Sequence, residues 1–196
     1  MPASPLLLPD PLPHFGGVRL RVFTDHDIPM LIDLSTDPYV PMTGLLPAHA
    51  TEDDARSFIR RQHDRLVTGT AYSLCIARRD TDAAVGQAGL WLEQLTHGRA
   101  QAGYSIAPSD RGHGLASHAL TALTALAWSV PDIHRTELYI EPWNVASIRA
   151  AESAGYQYEG LLRRHQVIGG KRVDMQLLAA LRPVQAHPYS WAHSST

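Results

Sequence analysis

The sequence predicts an α/β (α+β) fold, one domain with a mixed central sheet of about seven strands flanked by helices, because its periodicities follow the order β-α-α-β-β-β-α-β-α-β-β. No internal repeat and no composition shift divides that order into two units. The 196 residues suffice to bury about 70% of their unfolded surface in one core, and 44% hydrophobic with 18% charged residues is a globular balance.

Residues 1–17 hold five prolines and read as an irregular N-terminal extension whose few apolar residues can lie against the domain. Val18 to Thr24 alternates as a strand, and Asp25 to Asp37 carries Ile28, Leu31, Ile32 and Leu34 at helical spacing. Thr51-Glu-Asp-Asp54 is a capping-box variant, with Asp at its fourth place, that opens a helix running to Val67. Three strands follow over Ala71 to Arg78, Ala84 to Leu92 and Arg99 to Ile106, separated by Asp80-Thr-Asp82 and Thr96-His-Gly98.

The loop from Pro108 to Gly114 feeds a helix whose Ala119, Leu120, Leu123, Leu126 and Ala127 form one apolar stripe, ended before Pro131. Arg135 to Ile140 reads as a strand and Asn144 to Ala154 as a helix ended by Gly155. Tyr156 to Val167 is a strand turned by Gly169-Gly170 into Lys171 to Ala180. The domain thus spans residues 18–182, and residues 183–196, rich in His, Pro and Ser, form a flexible tail.

Charge and cysteine usage narrow the setting. A net charge of −2 gives no footprint for direct nucleic-acid binding, and no polybasic run addresses a membrane. One cysteine suits a reducing compartment, and Leu6-Leu7-Leu8 is too short for a signal peptide, so the expected localisation is cytoplasmic.

The segment with the most chemistry is Arg111-Gly-His-Gly-Leu-Ala116, where a strand passes through an Arg-Gly-x-Gly loop into an apolar helix. Gly112 and Gly114 leave the backbone bare, so consecutive N–H groups and the positive end of the helix dipole can close on a phosphate. A P-loop is the weakest fit, because Leu115 and Ala116 stand where Lys and Ser/Thr would be needed. The dinucleotide fingerprint also fails: Ser117 replaces its third Gly, and Pro108-Ser109-Asp110 separates strand from turn. A Gly-rich turn that merely caps a core helix uses the same residues.

Arg111 to Ala116 meets every fixed position of the loop Arg/Gln-x-x-Gly-x-Gly/Ala and so resembles the GNAT superfamily of acetyl-CoA-dependent N-acetyltransferases. The element order is similar as well. Asn144-Val-Ala-Ser147, Gly155-Tyr156 and Glu159-Gly160 resemble the RimJ/RimL-like branch, which acetylates ribosomal-protein N-termini, and Leu20-Arg21, Asp25 to Asp27 and Asp37-Pro38 resemble its opening. The likeness covers Val18 to Leu181.

That resemblance implies acetyl-CoA as cosubstrate and no metal. Its diphosphate would sit on Arg111, Gly112, His113, Gly114, Leu115 and Ala116, and its pantetheine arm along the backbone of Ser105, Ile106 and Ala107. The arm would enter a gap where the fourth strand (99–106) splays from the fifth (135–140), and Pro108 fits by stopping the ladder there. Asn144 caps its helix and, by resemblance, contacts the arm. Many family members place a Tyr four residues before the Gly of the Gly-Phe/Tyr pair as acid to the CoA sulfur, but here that position is Ala151. Ser147 is the expected donor to the sulfur instead, with bonding to its own helix backbone as its other reading.

The reaction is attack of a neutral amine on the thioester carbonyl, with the thiolate leaving. A peptide α-amine of pKa about 7.7–8.0 is roughly one-tenth neutral at pH 7, whereas a lysine amine costs about 4–5 kcal/mol to deprotonate. An α-amine acceptor therefore tolerates a weak base acting through water, and Glu141 and Glu93 are the two candidates; each is also an ordinary surface carboxylate. Cys75, in an apolar run with no base beside it, reads as buried and inert, which favours direct transfer over an acetyl-enzyme.

Trp91, Trp143 and Tyr104 are candidates to line the acceptor site or to pack the core. His113, His118 and His165 have no metal-ligand spacing, and His187 and His193 in the tail read as solvated. The expected acceptor is a protein N-terminus or a small amine. The other reading is a non-catalytic acyl-CoA sensor or interaction module, and a homodimer is left open.

Overall fold

A computed structural model of the chain describes residues 5–183; most of the His-rich tail, with His187 and His193, lies outside them. One eight-stranded sheet runs in the order β1-β2-β3-β4-β5-β6-β8-β7. The strands are β1 (His14–Phe15), β2 (Val18–Arg21), β3 (Ala71–Arg78), β4 (Ala84–Trp91), β5 (Arg99–Ile106), β6 (Arg135–Ile140), β7 (Gln157–Ile168) and β8 (Lys171–Leu181). The helices are α1 (Ile28–Ser35), α2 (Glu52–Val67), α3 (Leu115–Ser129) and α4 (Val145–Ser153).

The strand beyond the expected seven lies in the N-terminal extension, which is therefore not wholly irregular. Gly16, at φ +52, turns the chain back so that Phe15 pairs with Val18 and His14 with Arg19. A Cβ at Gly16 would meet the His118 ring of α3 at 2.6 Å, so any other residue there would strain the turn and displace that ring. Leu6, Leu8 and Leu12 ahead of it pack on the core, and the Leu6 N–H donates to Leu66 O at 2.9 Å.

The other elements follow the sequence patterns closely. Thr51 Oγ1 accepts the Asp54 N–H at 3.2 Å while the Asp54 carboxylate accepts the Thr51 N–H at 2.9 Å, a complete capping box in which Asp does what Glu usually does. Alternation along the strands divides the apolar residues between two faces. One core holds Leu74, Ile76, Leu90 and Ala102 against Leu120, Leu123 and Leu126 of α3, and the other holds Cys75, Ala77 and Ala107 against Leu31, Leu34 and Phe58 of α1 and α2. Among the described residues no helix is long and apolar enough to cross a membrane.

The feature that positions the site is a wedge in the sheet. β5 and β6 are parallel and pair only at Arg99–Arg135, Ala100–Thr136 and Gln101–Glu137. Beyond that point β5 stays paired with β4 as far as Ile106, and β6 with β8 as far as Ile140, so the facing edges part. The expected splay of the fourth and fifth strands is thus the splay of β5 from β6. Pro108 opens a 3-10 turn (Pro108–Asp110) directly past the end of β5.

Candidate active site

Two clefts of ≈ 350 and ≈ 470 Å³ open from the wedge. The first is lined by Ser105 and Ile106, by Arg111, Gly112, Gly114, Leu115 and Ala116, and by Trp143, Asn144 and Ser147. Gly112 and Gly114 have φ of +83 and +70, a conformation glycine adopts without strain, and a Cβ at either would meet nothing within 4 Å. Their role is therefore backbone direction rather than space. The N–H groups of residues 112–117 donate to no acceptor among the described residues, so six consecutive donors face outward at the start of α3. Such a cradle fits the diphosphate of acetyl-CoA.

The edge of β5 supplies the next donors. Ala107 donates its N–H to Val85 O at 2.9 Å, so by antiparallel alternation Ser105 also turns its peptide groups to β4 while Tyr104 and Ile106 turn theirs into the wedge. Ile106 O already accepts from Arg111 Nε at 3.0 Å, which leaves the N–H groups of Tyr104 and Ile106 for an arm lying in the gap.

The second cleft is lined by Gln87, Trp91 and Gln101 of β4 and β5, by Tyr139 and Glu141 at the end of β6, and by Gln166 of β7. Trp91 lies across Gly89 and Gly103; a Cβ at Gly103 would come within 2.8 Å of the indole, so these glycines make room for the ring. Glu141 is only 8% exposed, at the end of β6. Burial first, and the Glu141 carboxylate second, push the Tyr39 phenol well above its ordinary range.

The clefts meet at Tyr104, Ser105, Asn144 and Ser147, under Tyr39 and Val40. Asn144 caps α4 by accepting the Ser147 N–H at 3.1 Å. Ser147 does not turn its hydroxyl to its own helix: its Oγ meets the Tyr104 hydroxyl at 2.8 Å, where either oxygen can donate. Burial raises the Tyr104 phenol and Ser147 only partly offsets this, so both are neutral hydroxyls at pH 7. Chemically, the junction brings a hydroxyl pair to the mouth of an anion-binding cleft and one buried carboxylate to the far side.

The sequence profile of the acetyltransferase (GNAT) domain family matches residues 18–157. The chain belongs to the GNAT family. It is 28% identical over 165 residues, 84% of this chain and 93% of the relative, to the uncharacterized N-acetyltransferase p20 of Bacillus licheniformis. Among solved structures, Mycobacterium smegmatis RimJ in complex with CoA-disulfide matches at 25% identity with a TM-score of 0.73, covering 89% of this chain and 90% of that one. The spermidine N-acetyltransferase of Vibrio cholerae in complex with CoA and spermine matches at 17% identity and a TM-score of 0.67, covering 84% and 95%. This GNAT chain is an acetyl-CoA-dependent N-acetyltransferase.

Not every residue expected at the GNAT site meets there. Ala107 is buried with its N–H engaged, and lines neither cleft. The His113 ring turns to Asp110 O at 3.3 Å, leaving only its backbone N–H for the cradle. Glu93 lies on an exposed turn outside both clefts, because β4 ends at Trp91 and the chain turns away after Leu92. Cys75 is fully buried in the α1/α2 core, and burial, with the nearby Asp27 charge, pushes its thiol far up. Trp143 stands exposed beside the first cleft, edge-on to Tyr39 at 5.2 Å.

Sequence reasoning missed the strut that holds the roof. Asp37 Oδ1 accepts the N–H groups of Tyr39 at 2.7 Å and Val40 at 3.0 Å, while its Oδ2 accepts from Arg111 at 2.6 Å. Burial raises the Asp37 pKa, but the Arg111 hydrogen bond and the two backbone donors outweigh it and hold the carboxyl below its ordinary value. A depressed carboxyl stabilises the fold above the unfolded pKa of about 3.9 and loses that contribution as pH falls through its folded value. Asp37→Asn, which keeps the turn but loses the ion pair, should therefore lower stability by up to about 1 kcal/mol at pH 7, since Arg111 is half exposed and screened. The difference should shrink below pH ~4; melts at both pH values check it, and an equal difference at both removes the ion pair from this account.

Proposed function

We propose that this chain transfers the acetyl group of acetyl-CoA directly to a primary amine, foremost the N-terminal α-amine of a protein in the manner of the RimJ/RimL-like branch, with small amines as the second class of acceptor. The observation that carries the proposal is the junction of the clefts at Tyr104 and Ser147, with Glu141 the one Asp, Glu, Lys, Arg or His side chain among the described residues that lines the acceptor side.

In this reading the N–H groups from Gly112 to Ala116, with Arg111 beside them, hold the diphosphate, and the wedge edge at Tyr104 and Ile106 takes the pantetheine amides. Glu141 accepts a proton from the amine through water. The amine nitrogen forms its bond to the thioester carbon as the C–S bond breaks, and Ser147 donates a hydrogen bond to the sulfur while Tyr104 donates to Ser147. One weak base suffices for an α-amine, which is already about one-tenth neutral at pH 7. A polyamine carries further ammonium groups, and the lining offers them no second carboxylate. No step passes through Cys75.

Thiol release from acetyl-CoA, measured with peptides beginning Ala, Ser or Met and with a panel of small amines, tests the proposal. Peptide-dependent thiol, with a mass gain of one acetyl at the N-terminus, is the expected result. Turnover on small amines alone would overturn the N-terminal assignment, and bound CoA with no acceptor-dependent thiol would overturn the catalytic roles.

A further inference from the structure

Among the described residues two glutamines are buried, and only one of them is satisfied. Gln62, 1% exposed, donates from Nε2 to Phe58 O at 2.8 Å, and its Oε1 accepts from Ser73 and from Arg65. Gln87, 3% exposed in the middle of β4, has no partner for its Oε1 among the described residues. A buried amide oxygen left unpaired is costly and rare in native proteins. The contrast with Gln62 matters because Gln87 lines the acceptor cleft, beside the Trp91 ring and across the sheet from Ser105 at the cleft junction.

The chemistry around it says what would satisfy it. Among the described residues no Lys, Arg or His lines this cleft, so an acceptor bearing an anion finds no counter-charge there; of these residues Glu141 alone offers a charge, suited to one amine. Besides Tyr, Ser and Thr hydroxyls, the lining carries the amides of Gln101, Gln166 and Asn144 with that of Gln87, and among these described side chains Gln87 alone has a buried polar atom without a partner. A side-chain amide has both a donor pair and an acceptor, and whichever way it rotates it is complementary to the N–H and C=O of a peptide unit. A simple alkyl amine carries neither beyond its reacting nitrogen.

We propose that Gln87 recognises the first peptide unit of the acceptor and so selects amines that are followed directly by an amide, an inference that rests on the N-terminal reading above. The test uses the full chain with acetyl-CoA and the peptide Ala-Ala-Ala-amide, comparing Gln87→Met with the parent. Methionine keeps the length and strands no polar atom, so the melting temperature should stay level or rise. The KM for the peptide should rise about tenfold or more while the KM for acetyl-CoA stays within about twofold, as expected for a group that touches only the acceptor. A peptide KM that moves by less than about twofold, as when water alone fills the Gln87 position, overturns the inference. Parallel rises in both KM values, or a lowered melting temperature, would make Gln87 structural and overturn it equally. If the parent itself fails to acetylate the peptide, the N-terminal reading is what has failed.

Discussion

Replacing Ser147 by Ala should lower kcat about a hundredfold while leaving the KM for acetyl-CoA nearly unchanged, because the lost hydroxyl serves charge that develops only as the thiolate leaves. The hydroxyl points across the cleft junction to Tyr104 at 2.8 Å, and α4 is capped by Asn144 rather than by Ser147, so the substitution removes no helix contact. Folding should therefore be preserved, and circular dichroism with a melt establishes that before kinetics are compared. Ser147→Thr, which keeps the hydroxyl, should recover much of the rate. Steady-state turnover equal to the parent would remove Ser147 from the reaction, and a fall confined to acetyl-CoA affinity would make it a binding residue.

A comparably large effect should follow at Gly114, on the other side of the junction. At φ +70 a β-branched residue is strained even though nothing stands within 4 Å of its Cβ, so Gly114→Val turns the backbone out of its cradle conformation rather than colliding with a neighbour. Losing one or two charge-assisted N–H donors should raise the dissociation constant for CoA about 10- to 100-fold. Gly114→Asn, which tolerates a left-handed backbone, should lose much less. Titration calorimetry with CoA separates the two variants, and equal affinities would mean that the diphosphate is held elsewhere.

Much of this was legible in the sequence because it is local. The expected limits of β3, β5 and β6 are those observed, since alternation and flanking turn residues are short-range signals. The capping box at Thr51 and the glycine cradle were legible for the same reason. What escaped is tertiary. Asp37 and Arg111 stand 74 residues apart and only the folded chain makes them one strut; Tyr39 acquires its setting from Glu141, equally remote in sequence. Glu93 follows Trp91 in sequence, but the turn after β4 carries it outside both clefts, which proximity in sequence does not reveal. Gln87 did leave a signal, a lone amide side chain within the apolar run of β4, and that signal is open to sequence reading. The two-residue β1 left none, because a pair of residues has no period and the five prolines ahead of it argue for irregular chain.

The wedge between β5 and β6 is part of the sheet's own hydrogen-bond pattern, fixed by where a ladder ends after Gln101 and Glu137. On the proposed reading, rigid elements carry the donor half of the site, and its edge groups would lose little further entropy when an arm lies along them. The acceptor half is bounded by parts that can vary without disturbing the ladder: the turn from Tyr39 to Leu45 and the end of β7 at Gln166 to Ile168. On that reading, a scaffold divided in this way keeps one donor while its choice of acceptor is free to drift.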